Sequence, residues 1–241
     1  MKKRTAELIL KDPEKFAHHD RVFLNNPVVM QGMGLAPLVV LATNGQNALM
    51  LAAAVALLLT PSRLLACLLS RLFSLREEHP SKAELEKKLL PRSILYSGSA
   101  AVVYLAAYPI LNRLFGVSLL VLGIYLPMLV VEPLLTYRFG RVQESMRKAV
   151  SKGLRITVGY ALLLLVVGIV REWLSLGTVF GAPVGRWALL PLAKMPAGGF
   201  IVLGILCAIW RAAAAKRKEY LQKEARDTLT VHYQKEADRE Q

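Results

Sequence analysis

The strongest constraint on the fold is a set of long apolar runs that contain no charged residue. They include residues 48–60, 160–170 and 198–210, and basic clusters lie between them. A membrane-spanning helix needs about 20 predominantly apolar residues, and Lys and Arg concentrate in the loops on the cytoplasmic side. The pattern predicts an all-α integral membrane protein of the inner (cytoplasmic) membrane.

Six apolar segments can be placed along the chain. They are residues 28–43, 46–69, 94–112, 117–136, 156–172 and 188–210. If every segment crosses the membrane, all but four of the 31 Lys and Arg residues fall on one side. The four exceptions are Arg113, Arg171, Arg186 and Lys194. This asymmetry predicts six transmembrane segments with both termini in the cytoplasm.

The chain divides into three regions. Residues 1–26 form a cytoplasmic N-terminal segment, 27–212 a six-span membrane domain, and 213–241 a basic tail. The tail is rich in Ala, Lys, Glu and Gln, which favour helix, so it should continue the last helix into water. Its basic face is expected to touch anionic lipid head groups. The net charge of +14 therefore indicates membrane lipids as partners, and no groove-reading or base-stacking motif points to nucleic acid.

Two of the six segments are interrupted. The first carries Pro37 and breaks into the polar run 43–47, and the fourth carries Pro127 and Pro133 with Glu132 between them. Three crossings separate the two segments, so they enter the membrane from opposite sides. Paired interrupted helices in matching positions predict a 3+3 inverted repeat, with half-helices at segments 1 and 4 and a site near the membrane midplane. Repeat one covers about 27–112 and repeat two about 117–212, although Pro37 aligns with either Pro127 or Pro133.

The candidate midplane cavity is built from residues in and around these two breaks. They are Asn26, Gly34, Ala36, Pro37, Asn44, Asn47, Pro127, Glu132 and Pro133. A second interpretation stays open for several of them. The prolines can be ordinary kinks, Asn44 and Asn47 can cap a helix beside a surface loop, and Glu132 can pair with Arg138.

Metal and catalytic motifs are lacking in the sequence. Cys67 and Cys207 lie in separate apolar segments and form no Cys/His cluster, so neither a metal site nor a disulfide framework is indicated. The four histidines show no nucleophile or metal spacing, and a self-standing enzyme is not predicted. No cofactor is predicted in this chain.

Four stretches in order resemble the six-span subunits of the Rnf and sodium-pumping NADH:quinone reductase (Nqr) complexes, in particular the RnfE/NqrD type. "NNPVVMQGMGLAPLVVLATNGQNAL" is similar to the family's opening segment and "GIYLPMLVV" to its fourth. "IVREWLSLGTVFG" resembles the family's segment around an Arg-Glu pair, and "LPLAKMPAGGFIVLGIL" resembles its closing helix. The resemblance runs from about residue 23 to residue 210.

The resemblance implies cytoplasmic termini and a homologous six-span membrane partner of opposite topology, with further Rnf/Nqr-like subunits around the pair. It also implies an iron-sulfur cluster shared between the half-helices of the two subunits, with two cysteines from each. In this chain the two cysteine positions are occupied by Ala36 and Pro133. Neither side chain can ligate iron, and Cys67 and Cys207 lie on other segments.

Two functions follow from these observations. The first is a membrane subunit of an Rnf/Nqr-like electron-transport or ion-translocating complex that has lost direct electron transfer and serves as scaffold or as half of an ion path. The second is a transporter or substrate-binding membrane subunit for an ion or small molecule, motivated by Glu132 as an intramembrane carboxylate. In both, the subunit itself is non-catalytic.

Overall fold

The structure, a computed structural model, describes residues 3–13, 16, 20–72, 89–136, 146–185 and 188–240. Most of them are helical. The α-helices are α1 (Lys3–Lys11), α2 (Pro27–Gln31), α3 (Leu35–Val40), α4 (Gly45–Leu72), α5 (Leu89–Phe115), α6 (Tyr125–Thr136), α7 (Met146–Leu176) and α8 (Pro196–Glu240). Two 3-10 helices, Gly116–Val121 and Pro191–Lys194, and a hairpin of β1 (Thr178–Val179) with β2 (Ala182–Pro183) complete the described elements.

Four described helices are long and apolar enough to cross a membrane. They are Gly45–Ser70, Ser93–Val121, Ala149–Leu176 and Pro196–His232. They correspond to the second, third, fifth and sixth apolar segments of the sequence. Helix α4 packs against α5, α6 and α7. Their buried faces form one continuous apolar core, in which Leu51, Leu58 and Leu163 are almost completely enclosed.

The first and fourth apolar segments form shorter, broken helices. In the first, α2 and α3 are separated by Gly32 and Gly34, both left-handed with φ of 69° and 67°. In the fourth, a 3-10 helix leads to Gly123, with φ of 44°, and then to α6. Pro37 is the third residue of α3 and Pro127 the third residue of α6. Pro lacks an amide hydrogen and fits the first turn of a helix, so here the prolines mark helix starts after the breaks.

The second segment, placed at 46–69, continues through Pro61 as α4 to Leu72. One helix start differs from the sequence-based segments. The last helix begins at Pro196 instead of residue 188, and the apolar residues 188–195 form an irregular stretch with a 3-10 turn. From Pro196 the helix runs without interruption to Glu240, because its second half contains neither Pro nor Gly.

The two ends of the described chain lie together. Ala6 and Ile9 of α1 pack with Ala225 of α8 in a small apolar cluster apart from the main core. Phe23 stacks on Trp210 with ring centroids 5.2 Å apart. The N-terminal segment therefore packs along α8 between Trp210 and Ala225.

Candidate functional site in the broken first segment

The break between α2 and α3 is built around Gly34. Its carbonyl oxygen accepts a buried 2.8 Å hydrogen bond from the Tyr160 hydroxyl, about halfway along α7. The left-handed backbone at Gly34 suits glycine, and a Cβ there would collide with the same Tyr160 hydroxyl. Since lipid cannot satisfy a freed backbone group, the tyrosine supplies the donor that this carbonyl needs at the depth of the break.

Asn26 fastens the start of the same segment to α7. It is fully enclosed, and its Oδ1 accepts a 3.0 Å bond from the Val28 amide as the N-cap of α2. Its Nδ2 donates to the carbonyls of Val22 and Gly159, each at 3.0 Å. A Cβ on Gly159 would lie 2.8 Å from the Arg21 carbonyl, so the glycine allows the two chains to approach. Every polar atom of the Asn26 side chain is thus used within the protein.

Arg171 holds the other end of α3. It is completely buried near the C-terminal end of α7. Its guanidinium donates to two groups of carbonyl oxygens. The acceptors in the first segment are Val39 at 2.7 Å, Ala42 at 3.0 Å and Leu38 at 3.2 Å. Those before α8 are Ala193 at 2.9 Å, Lys194 at 3.2 Å and Met195 at 3.4 Å.

These contacts have a clear electrostatic cause. The last carbonyls of a helix have no partner within the helix and carry its negative dipole end. The buried cation of Arg171 meets this need for α3 and for the turn that precedes α8. One side chain therefore joins the half-helix, α7 and the start of α8.

Glu172 supplies a negative charge and hydrogen-bond acceptors to the start of the next helix, α4. Its carboxylate accepts bonds from the Gly45 amide at 2.7 Å, the Gly181 amide at 2.7 Å and the Thr178 hydroxyl at 2.9 Å. Gly45 begins α4, whose free amides carry the positive dipole end. Adjacent residues of α7 thus place a cation at the end of α3 and an anion at the start of α4.

Asn44 caps α4 and Asn47 lies in its first turn, which agrees with the capping interpretation of this pair. Asn44 Oδ1 accepts a 2.7 Å bond from the Asn47 amide, and Asn47 Nδ2 donates to Thr43 Oγ1 at 3.2 Å. The polar run lies beside the C-terminal end of α7, because Gly45 bonds Glu172. The left-handed glycines, and not this polar run, form the break that lies halfway along α7.

The remaining candidate residues lie on the two half-helices. Pro37 is buried, and Ala36 and Pro127 are half-buried. Helices α3 and α6 are in contact, so the structure brings the two proline-bearing helices together. Glu132 and Pro133 lie in α6, but their side chains, and all of Arg138, are outside the described residues. The suggested Glu132–Arg138 pair therefore cannot be placed.

Several residues that build the site were not singled out as candidates in the sequence. Tyr160 and Gly159 are on α7 and Gly199 is on α8, where a Cβ would meet Arg171 Nη2 at 2.8 Å and the Val39 oxygen at 2.9 Å. The available signal was the Arg171–Glu172 pair inside an apolar segment, since charges within a span are costly and have a purpose. The sequence gave no sign that the first segment was the partner of this pair.

The described residues offer few metal ligands. No group of three or more His, Cys, Asp and Glu side chains in the described part of the chain could hold a metal ion. Cys67 is buried on α4 and Cys207 is half-buried on α8. Neither belongs to α3 or α6, the helices that carry Ala36 and Pro133.

Comparisons with known proteins agree with the resemblance in the motifs. A family described as "Rnf-Nqr subunit, membrane protein" matches residues 16–207. A protein of Shewanella putrefaciens, named as a subunit of an ion-translocating oxidoreductase complex, is 30% identical over 216 residues, which cover 81% of this chain and 86% of the relative. Proteins of the same name from Shewanella oneidensis and Shewanella baltica are 30% identical over 215 residues, or 81% of this chain and 85% of theirs. The chain belongs to the Rnf-Nqr family of membrane subunits.

Proposed function

We propose that this chain is a membrane subunit of an Rnf/Nqr-like ion-translocating complex and serves as its scaffold or as half of an ion path, without carrying electrons. The relatives are named as subunits of an ion-translocating oxidoreductase complex, which supports membership in a similar assembly. A homologous six-span subunit of opposite topology is the proposed neighbour. The proposed location is the inner membrane, with both termini in the cytoplasm.

The chemistry at Ala36 is the observation that carries the loss of electron transfer. Ala36 lies in α3 and Pro133 in α6, and these helices contact each other. A methyl group and a pyrrolidine ring have no lone pair to offer iron. The residues at these two positions therefore do not fit the cluster that the family resemblance implies, and no electron-transfer step is assigned to this chain.

The hydrogen bonds around α3 support a scaffold role. Tyr160 holds Gly34 at the start of the half-helix, and Arg171 holds Val39 and Ala42 at its end. A hydrogen bond from a charged donor contributes about 1.5–3 kcal/mol to the stability of the folded protein. The half-helix is thus fixed at both ends by side chains of α7.

The similar construction of the two broken segments supports the 3+3 inverted repeat. In each, a left-handed glycine is followed by a helix whose third residue is proline. This favours the register in which Pro37 matches Pro127. Two short helices that enter from opposite sides and meet would complete six segments.

The test is iron-sulfur spectroscopy of the complex purified with its neighbouring subunits. Replacing both thiols of this chain, Cys67→Ala and Cys207→Ala, should leave the EPR signal and the iron content per complex unchanged. A loss of the signal in a double variant that still assembles would show that this chain ligates the cluster. An Ala36→Ser variant is the matched control, because it alters the family's ligand position without touching either thiol.

The second candidate function is binding or transport of an ion or small molecule. It is motivated by Glu132, an acidic residue within the apolar helix α6, which contacts both α3 and α4. Carboxylates inside membrane segments often mark ion paths. Under this function Glu132→Gln should abolish ion-dependent uptake in proteoliposomes while Glu219→Gln, on the tail, should not. Equal uptake in both variants would exclude a role for this carboxylate.

A further inference from the structure

A cavity of about 340 Å³ opens where the N-terminal segment meets α7. It is lined by Phe16, Asp20, Arg21, Val22 and Arg155. Phe16 and Val22 give it apolar walls, whereas Arg21 and Arg155 bring two positive charges against the single carboxylate of Asp20. The lining residues therefore carry a net positive charge.

Both arginines of the cavity stand at the end of a charge-free run of sequence. No charged residue occurs between Arg21 and Arg63, nor between Arg155 and Arg171. Lys and Arg concentrate where apolar segments leave the membrane. Arg21 and Arg155 therefore mark the points where the first and fifth apolar segments meet the membrane surface.

The structure brings these two points together. The backbone at Arg21 lies so close to α7 that a Cβ on Gly159, about one turn after Arg155, would be 2.8 Å from the Arg21 carbonyl oxygen. Nearby in sequence, Phe23 stacks on Trp210, whose Nε1 donates to the Phe23 carbonyl at 3.0 Å. Since tryptophan concentrates at the membrane–water boundary, the cavity lies at that level.

Asp20 fixes the turn that presents Arg21. Its Oδ1 accepts hydrogen bonds from the amides of Val22 and Phe23, each at 3.1 Å. An aspartate that bonds the backbone two residues on is a common turn former, and this carboxylate oxygen is engaged by the backbone. Arg21 is only 9% exposed, whereas Arg155 is exposed. The cavity thus combines a buried cation with an exposed one.

We propose that this cavity binds the phosphate group of an anionic phospholipid. A guanidinium carries five N–H donors in a planar fork and can bond two phosphate oxygens at once. Basic pockets between membrane helices bind anionic lipid head groups, and Phe16 and Val22 offer apolar contact to the glycerol and the first methylene groups. The positive lining favours a lipid of net negative charge over a zwitterionic one.

The experiment is native mass spectrometry of the full chain in detergent with added dioleoylphosphatidylglycerol. The variant is Arg155→Gln, at an exposed position where the loss of charge should leave the fold intact. The matched control is Arg147→Gln, which removes the same charge from an exposed arginine about two turns earlier on α7, outside the cavity. Dioleoylphosphatidylcholine and inorganic phosphate are added in separate runs, as a zwitterionic lipid and as soluble phosphate.

The site predicts that Arg155→Gln raises the dissociation constant of the first bound phosphatidylglycerol at least about tenfold, because charge-assisted hydrogen bonds are lost. Arg147→Gln should change it less than about twofold, and wild-type protein should bind phosphatidylcholine at least about tenfold more weakly. Equal constants in the two variants, or for the two lipids, would overturn the proposal. A phosphate adduct of the lipid-free protein that Arg155→Gln removes would assign the cavity to soluble phosphate and overturn the lipid as its ligand.

Discussion

The Tyr160 hydroxyl donates a buried 2.8 Å hydrogen bond to the carbonyl oxygen of Gly34, a residue 126 positions earlier in the chain. The bond ties the break in the first segment to the middle of α7. Tyr160→Phe removes the donor and leaves the ring in place. An unsatisfied buried carbonyl costs about 1–3 kcal/mol, so the unfolding midpoint in detergent should fall. Tyr220→Phe, at a tyrosine that is 66% exposed, should leave the midpoint unchanged, and an equal shift in both variants would contradict the importance of the bond.

Arg171→Lys should destabilise the protein although it keeps the positive charge. The guanidinium reaches six carbonyl oxygens on two segments, whereas an ammonium has three donors and no planar fork. Loss of several charge-assisted bonds predicts a cost of at least about 3 kcal/mol. Thermal unfolding monitored by circular dichroism measures it. Arg113→Lys, at an exposed position on α5, is the control. We call Arg171 and the carbonyl groups that it bonds the clamp, and an Arg171→Lys protein of unchanged stability would count against its importance.

Gly199→Ala and Gly204→Ala should behave differently although both lie on α8. A Cβ at Gly199 would meet Arg171 Nη2 at 2.8 Å and the Val39 oxygen at 2.9 Å, whereas nothing lies within 4 Å of a Cβ at Gly204. The first substitution must displace the clamp and is expected to cost about 1–3 kcal/mol. The second should be neutral or stabilising by up to about 1 kcal/mol, since Ala favours helix. Unfolding midpoints of the two variants provide the comparison, and identical values would show that α8 does not press on Arg171.

Asn44→Ala should weaken the start of α4. Asn44 Oδ1 accepts a 2.7 Å bond from the Asn47 amide, and loss of such a cap costs about 1 kcal/mol. Gln46→Ala changes an exposed neighbour in the same turn and should have little effect. Amide hydrogen exchange of residues in the first turn of α4 measures the difference directly. Unchanged protection in Asn44→Ala would assign the capping energy to Glu172 alone.

Much of this architecture could be predicted from the sequence, because a membrane restricts the backbone conformations that a spanning segment can adopt. Charge-free runs such as 48–60 and 160–170 predicted spanning helices, and Pro37 with Pro127 predicted the two interrupted segments. The exact break was less visible, since Gly32 and Gly34 look like any other glycines until their φ angles are known. The apolar residues 188–195 read as part of a helix, because composition does not distinguish a spanning helix from an irregular apolar stretch whose carbonyls bond Arg171.

The contacts of the site could not be predicted for a different reason. Arg171 bonds Val39 across 132 positions of sequence and Asn26 bonds Gly159 across 133. A local pattern can indicate that a buried charge needs partners, but a single sequence does not say which distant carbonyls supply them. The same holds for Gly159 and Gly199, whose lack of a side chain matters only when the neighbouring segment is in place.

The uninterrupted helix α8 also has a mechanical meaning. It contains 45 residues and is about 67 Å long at about 1.5 Å per residue. Near its start α8 lies against Arg171 at Gly199, and in its second half it packs against the N-terminal helix α1 at Ala225. Ala225 lies 26 residues after Gly199, about 39 Å along the helix, so a tilt of about 5° at Gly199 corresponds to a displacement of about 3 Å at Ala225. A tilt of α8 at Arg171 would therefore move the site where α1 packs.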